Sequence, residues 1–140
     1  MKYLFKNTTS VRVRYGETDQ MGYCYYGNYA QFFEVGRVEA LRDLGMSYKQ
    51  MEEEGILLPV RNYSVEYLKP AKYDDLLTIV TYVVKVEGTR ITFDYEIFNE
   101  ENKQLAKATT TLVFVNKSSM RPCSPPENFM QILEKSNNHV

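Results

Sequence analysis

Thr18-Asp19-Gln20-Met21-Gly22-Tyr23-Cys24-Tyr25-Tyr26-Gly27-Asn28-Tyr29 joins a carboxylate to the start of a long helix. Val11, Val13 and Tyr15 alternate with Arg12 and Arg14 just before it, which reads as a first strand ending in Thr-Asp. A glycine-containing loop follows, and Gly27 leads into a segment where Tyr29, Phe33, Gly36, Ala40 and Leu44 recur at spacings of three and four. Phe32 and Leu41 widen that stripe, and Gly45 is a natural terminator. Asp19 therefore stands a few residues before a helix N-terminus, where backbone N–H groups lack partners and the helix dipole is positive. A carboxylate beside such donors is a device for attacking a carbonyl: the carboxylate drives the attack and the N–H groups hold the oxyanion.

Beyond the helix, Ser47-Tyr48-Lys49-Gln50 reads as a capping box for a short second helix that stops at Gly55. Four strand-like segments come next: Val60 to Leu68, Leu76 to Val86, Ile91 to Phe98 and Ala106 to Val115. The short turns at Glu87-Gly88-Thr89 and Asn99-Glu100-Glu101-Asn102 make the last three an antiparallel meander. Ser124 and Pro125 read as the cap and first turn of a closing helix that docks through Phe129, Ile132 and Leu133. One strand, a long helix and four more strands predict an α+β fold, with the helix packed on a curved antiparallel five-stranded sheet.

Composition narrows the chemistry. The chain has 140 residues, 44% of them apolar, and a net charge of −1. That size predicts a single domain over 1–140. Near-neutral charge offers nothing to steer nucleic acid, and there is no apolar run long enough for a membrane span. The N-terminus lacks the apolar stretch of a signal peptide, and the two cysteines, Cys24 and Cys123, are too few for a disulfide framework. A cytoplasmic location is the expectation. The one histidine, His139, lies in a polar tail, so acid–base chemistry must rest on carboxylates, tyrosines, lysines or backbone groups. Cys24 has no visible base partner to make it a nucleophile. Glu34 and Arg37 are three apart on the helix and are expected to pair. The twelve tyrosines and seven phenylalanines serve core and interfaces.

These residues carry a resemblance. The run Arg14-Tyr15-Gly16-Glu17-Thr18-Asp19 through Tyr25-Tyr26-Gly27-Asn28-Tyr29, then Phe33-Glu34 and Arg37, then Tyr67-Leu68-Lys69-Pro70-Ala71-Lys72-Tyr73-Asp74-Asp75, resembles the 4-hydroxybenzoyl-CoA thioesterase family. These are acyl-CoA thioester hydrolases with a hotdog fold, and the likeness spans roughly Val11 to Pro125. The resemblance implies that Asp19 is the catalytic carboxylate, as nucleophile or as general base. It implies that the backbone N–H of Tyr26 is the oxyanion donor. Tyr25, Gly27, Asn28 and Tyr29 would line the substrate, although core or cap roles suit Tyr25, Asn28 and Tyr29 better, and Gly27 reads equally as close approach of the acyl group or as a flexible helix entry. Tyr26 stands where the family often has histidine, which sets this chain apart from the Tol-Pal-associated subgroup. A helix glutamate used by another hotdog subgroup gives Glu34 a second reading. Lys69, Lys72 and Arg121 are candidates for the phosphates of coenzyme A, with Lys107 and Lys117 as further basic residues. The family further implies a homodimer or homotetramer with sites at the subunit boundary, and no cofactor or metal beyond coenzyme A as part of the substrate. Two rivals remain: a thioesterase for acyl groups on acyl carrier protein, and a non-catalytic acyl-binding hotdog protein.

Overall fold

Leu77, Ile79, Thr81 and Val83 alternate along one strand and bury one face completely. Tyr95, Phe93, Ile91 and Ile97 do the same on the next, in antiparallel register: Ile79 opposite Ile97, Thr81 opposite Tyr95, Val83 opposite Phe93. The computed structural model describes residues 2–137. Its main sheet is antiparallel and five-stranded, in the order β1-β4-β5-β6-β3. The strands are β1 (Phe5–Arg12), β3 (Val60–Tyr67), β4 (Leu76–Glu87), β5 (Arg90–Phe98) and β6 (Gln104–Val113). The long helix α1 (Tyr29–Asp43) lies over β1, β4 and β5. The expected α+β arrangement and the β4-β5-β6 meander are present.

Several local readings change. The first strand is Phe5–Arg12, not a run through Tyr15 to Asp19. Its helix-facing positions include Asn7 and Thr9, so polar side chains hid the alternation. Tyr15–Glu17 instead forms a 3-10 turn. A second sheet, unforeseen in the sequence, joins β2 (Ile56–Leu57), β7 (Val115–Asn116) and β8 (Arg121–Pro122). Strands this short leave no periodic pattern. Helix α3 (Glu127–Asn137) starts two residues after Pro125, and the 123–126 segment is not helical. Phe129 and Leu133 are buried as expected, with Phe114 and Phe129 rings 5.9 Å apart. His139 lies outside the described residues.

Helix α1 buries the predicted stripe. It ends in a Schellman motif: Gly45 at φ +91 donates to Arg42 C=O, and Met46 N–H donates to Leu41 C=O. Ser47 caps α2 (Tyr48–Glu53), accepting the Gln50 N–H at 3.0 Å. Arg37 does not pair with Glu34. It points inward, 7% exposed, and donates to the hydroxyls of Tyr48 and Tyr95.

Gly36 lets the helix settle. A Cβ there would overlap the Thr81 hydroxyl and stand 2.9 Å from Ile79 Cγ2. The Thr81 hydroxyl and Asn7 Oδ1, opposite each other across β1 and β4, are buried without a partner among the described residues. Gly36→Ala should therefore cost about 1–3 kcal/mol through overpacking, despite alanine's better helix propensity. Urea unfolding measures this, and a wild-type or higher midpoint would mean that the contact is not tight.

Candidate active site

Residues 18–24 close on themselves as a small hairpin. Thr18 bridges Cys24, Asp19 N–H donates to Tyr23 C=O at 2.8 Å, and Gly22 at φ +81 donates to Asp19 C=O at 3.0 Å. A positive φ at that turn is what glycine supplies without strain. The Asp19 side chain completes the loop: Oδ1 accepts the N–H groups of Met21 at 2.9 Å and Tyr23 at 3.3 Å. This is the turn-forming role open to any aspartate. It engages one carboxylate oxygen, and Oδ2 has no hydrogen bond among the described residues.

The hairpin is fastened on its far side. Tyr23 bridges Lys72, and Cys24 N–H donates to Ala71 C=O at 2.7 Å. The turn containing Ala71 and Lys72 holds itself through Lys72 N–H to Asp75 Oδ2 and anchors to the end of β1 through Val13 N–H to Asp75 C=O. Two motifs some fifty residues apart in the chain, the Thr-Asp loop and the Pro-Ala-Lys-Tyr-Asp-Asp turn, are thus one piece of structure.

Glu17 ties this piece to the helix. Its carboxylate, nearly buried, accepts Arg14 N–H at 2.7 Å and pairs with the Arg14 guanidinium at 3.2 Å. Its backbone carbonyl accepts from Tyr25 N–H at 2.8 Å and from the Asn28 side-chain amide at 2.9 Å. Asn28 therefore acts as a brace. A 3-10 turn over Tyr26–Asn28 runs directly into α1. Asn28 N–H donates to Tyr25 C=O, while Tyr29 N–H and the Tyr67 hydroxyl donate to Tyr26 C=O. Each of these carbonyls faces into the helix, so in a trans peptide the N–H groups of Tyr26 and Gly27 face the opposite way. Among the described residues neither has a backbone acceptor, as at any helix start.

Asp19, Cys24, Tyr26, Tyr29, Tyr67 and Lys69 line one cleft of about 310 Å³. Tyr29 is nearly buried in its floor, its hydroxyl accepting Ala71 N–H at 3.3 Å. Tyr25 is half-exposed with its ring 4.7 Å from that of Tyr26. The close approach at Gly27 is made by this Tyr25 ring, 2.6 Å from where a Cβ would stand. Gly27 thus leaves room for a neighbouring tyrosine ring.

Lys69 also borders an adjoining cavity of about 300 Å³ that includes Lys72 and Lys103. Lys103, not foreseen, sits after the Asn99 turn and pairs with Glu101 at 3.6 Å. Arg121 lies apart from these lysines: β8 joins the second sheet, and Arg121 lines neither cavity. Lys107 pairs with Glu66 on the sheet face away from α1, and Lys117 pairs with Glu52. Glu34 lies off the Asp19 cleft, beside Arg37. The cleft walls Tyr67 and Leu68 were missed as site residues. Their signals were a place in the Tyr67-to-Asp75 run that carries the resemblance and a position at the end of a strand leading into Lys69-Pro70. Among the described residues no group of three or more His, Cys, Asp or Glu is placed to hold a metal, and no helix is long and apolar enough to cross a membrane.

A helix over a five-stranded antiparallel sheet, with an aspartate loop against the helix start, is the hotdog arrangement. The chain belongs to the thioesterase-like superfamily, whose family model matches residues 13–133. It stands among hydrolases that act on thioester bonds. It is 36% identical over 120 residues to the acyl-CoA thioester hydrolase YbgC of Escherichia coli O6:H1, covering 86% of this chain and 90% of that protein. The acyl-CoA thioesterase YbgC of Haemophilus influenzae is 35% identical over 118 residues, 84% of this chain and 86% of the relative. Among solved structures, a DHNA-CoA thioesterase from Staphylococcus aureus superposes with a TM-score of 0.89 at 33% identity, covering 95% of this chain and 91% of that one.

Cys24, on the cleft wall, is held as a neutral thiol. Burial, then the nearby negative charges of Glu17 and Asp19, push its pKa from 9.0 to about 11. Iodoacetamide at pH 8 should therefore modify Cys123 faster than Cys24 in the folded protein. Because the folded state keeps this proton and the unfolded chain releases it near 9, this group's contribution to stability falls as pH rises from about 9 to 11. Peptide mapping after labelling reads the order, and rapid alkylation of Cys24 would contradict its neutral state.

Proposed function

We propose that the protein hydrolyses an acyl-CoA thioester to free acid and coenzyme A, with Asp19 as the catalytic carboxylate and the Tyr26 N–H as oxyanion donor. The observation that carries this reading is the pairing, around one cleft, of a carboxylate with one oxygen unengaged and a helix start whose first N–H groups lack backbone acceptors. Asp19 either attacks the thioester carbon, giving a mixed anhydride that water then opens, or takes a proton from the attacking water. In both routes the carbonyl oxygen gathers negative charge beside Tyr26 and Gly27, and the sulfur of coenzyme A departs and is protonated. Lys69 and Lys72, which form no ion pair among the described residues, fit the coenzyme phosphates at the cleft mouth, and Lys103 joins them. Residues 1–140 act as one catalytic domain of a cytoplasmic enzyme, without metal or further cofactor.

Asp19→Asn is the informative substitution because the amide oxygen can still accept the Met21 and Tyr23 N–H groups and keep the hairpin closed. Turnover should fall roughly 10²–10⁴-fold with the fold intact. Tyr26→Phe retains the backbone donor and should change turnover little. Thiol release from a panel of short, long and aryl CoA thioesters provides the assay. Near-wild-type activity in Asp19→Asn would remove Asp19 from the chemistry.

Assembly belongs to the same reading. Among the described residues strand β3 pairs only with β6, leaving its other edge open, and nearly all of its residues are exposed, including Val60, Tyr63 and Tyr67. An open, aromatic edge invites a second strand. We expect a homodimer through β3, burying more than about 1,000 Å², and pairing of dimers into a tetramer. Light scattering at micromolar concentration checks this, and a monomer that is fully active would contradict it.

A further inference from the structure

Past the Asp19 cleft, side chains of α1 and β3 meet and separate it from a second cavity. At the cleft end the Tyr29 and Tyr67 rings stand 5.0 Å apart, and one helical turn on, Phe33 and Tyr63 stand 6.2 Å apart. The second cavity, of about 160 Å³, opens there, lined by Phe33, Glu34, Arg37, Val60, Tyr63 and Thr110.

Arg37 gives this cavity its chemistry. The residue is 7% exposed. Its Nε donates to the Tyr48 hydroxyl at 3.1 Å and Nη1 to the Tyr95 hydroxyl at 3.2 Å, and Tyr95 shares a 2.7 Å hydrogen bond with Thr110. Those partners are neutral: burial pushes Tyr95 up to about 12 and raises Tyr48 as well. Among the described residues the guanidinium forms no ion pair, and Nη2 has no acceptor. A buried cation without a counter-charge is costly, and the cost falls when an anion with matching geometry arrives. The planar guanidinium fork matches a carboxylate.

We propose that the Arg37 cavity is a subsite for the free carboxylate at the far end of an acyl group, so that the favoured substrates are CoA thioesters of dicarboxylic acids rather than of simple fatty acids. This rests on the reading that the thioester sits at Asp19 and Tyr26. The spacing suits it. From Tyr29 to Arg37 the helix rises roughly 12 Å, and a helical arginine leans back toward the N-terminus. Phe33 is fully buried and Tyr29 nearly so, so a short acyl chain would reach the guanidinium by parting the Tyr29–Tyr67 and Phe33–Tyr63 ring pairs, with Tyr63 and Tyr67 on the exposed strand β3 giving way. Glu34 stands on the rim, exposed, and its charge opposes a bound anion.

The test compares adipyl-CoA with hexanoyl-CoA, matched in chain length and differing in the terminal carboxylate. The wild-type protein should favour adipyl-CoA by about tenfold or more in kcat/KM. Arg37→Met should bring the ratio near one, and Arg37→Lys should restore part of it. Glu34→Gln, on the exposed rim where folding is not at risk, should raise the ratio. A wild-type ratio of one or less, or a preference that survives Arg37→Met in a folded protein, overturns the subsite while leaving thioester hydrolysis standing. If neither thioester is cleaved, the hydrolase reading is judged separately on the wider panel of CoA thioesters. Calorimetric titration with free adipate against hexanoate then decides the subsite: adipate binding that Glu34→Gln strengthens supports it, and no adipate binding overturns it.

Discussion

Everything at the candidate site depends on how closely α1 lies on the sheet, and Gly36 sets that distance. With no Cβ at this position, the helix backbone rests against Ile79 and Thr81. The contact sits near the middle of α1, so a shift there would swing the helix start and displace the Tyr26 and Gly27 N–H groups from the aspartate hairpin. The hairpin is fixed independently, by Ala71, Lys72 and the end of β1. Two rigid pieces thus meet at Glu17, whose carbonyl accepts from both Tyr25 and Asn28. The accuracy of the site is inherited from packing in the core and from one carbonyl at the seam.

The elements readable in the sequence were those whose own buried positions are uniformly apolar. The stripe of α1 is such a case, so its period shows although Thr81 lies beneath Gly36. The same holds for β5, where buried and half-buried residues alternate without a break. β1 could not be read in this way because Asn7 and Thr9 occupy inward positions. Asn7 reaches the Asp43 carboxylate at the end of α1 at 3.3 Å, a tertiary contact that periodicity does not encode. Arg37 is a similar case. Spacing alone pairs it with Glu34, but the hydroxyls of Tyr48 and Tyr95, from a neighbouring helix and the sheet, draw it inside.

The site was legible as a list of residues and far less so as a division of labour. Asp19, Tyr26 and Tyr29 share a cleft, whereas Asn28 spends its amide on bracing Glu17 and Gly27 makes room for the Tyr25 ring. Such roles depend on which way a carbonyl or ring points, and neighbouring residues in a loop do not fix that. Basic residues are the hardest to place. Lys69 and Lys72 come together because one turn carries both, while Lys103 joins them from just before the start of the neighbouring strand β6 and Arg121 departs with β8. Sequence distance carries no information about either outcome.

Strand β3 links assembly to the site in physical terms. Its outer edge is unpaired, and its end supplies Tyr67, whose hydroxyl donates to Tyr26 C=O while its ring packs on Tyr29. That hydrogen bond helps to set the plane of the peptide that carries the Gly27 N–H. An edge strand held on one side only is free to flex, and Tyr67 moves with it. Pairing the open edge with another strand would stiffen the wall that orients the helix start, so a subunit added there acts on the donors without touching them. The same strand contributes Val60 and Tyr63 to the Arg37 cavity. The Asp19 cleft and the Arg37 cavity therefore share one wall, and whatever orders β3 orders them together.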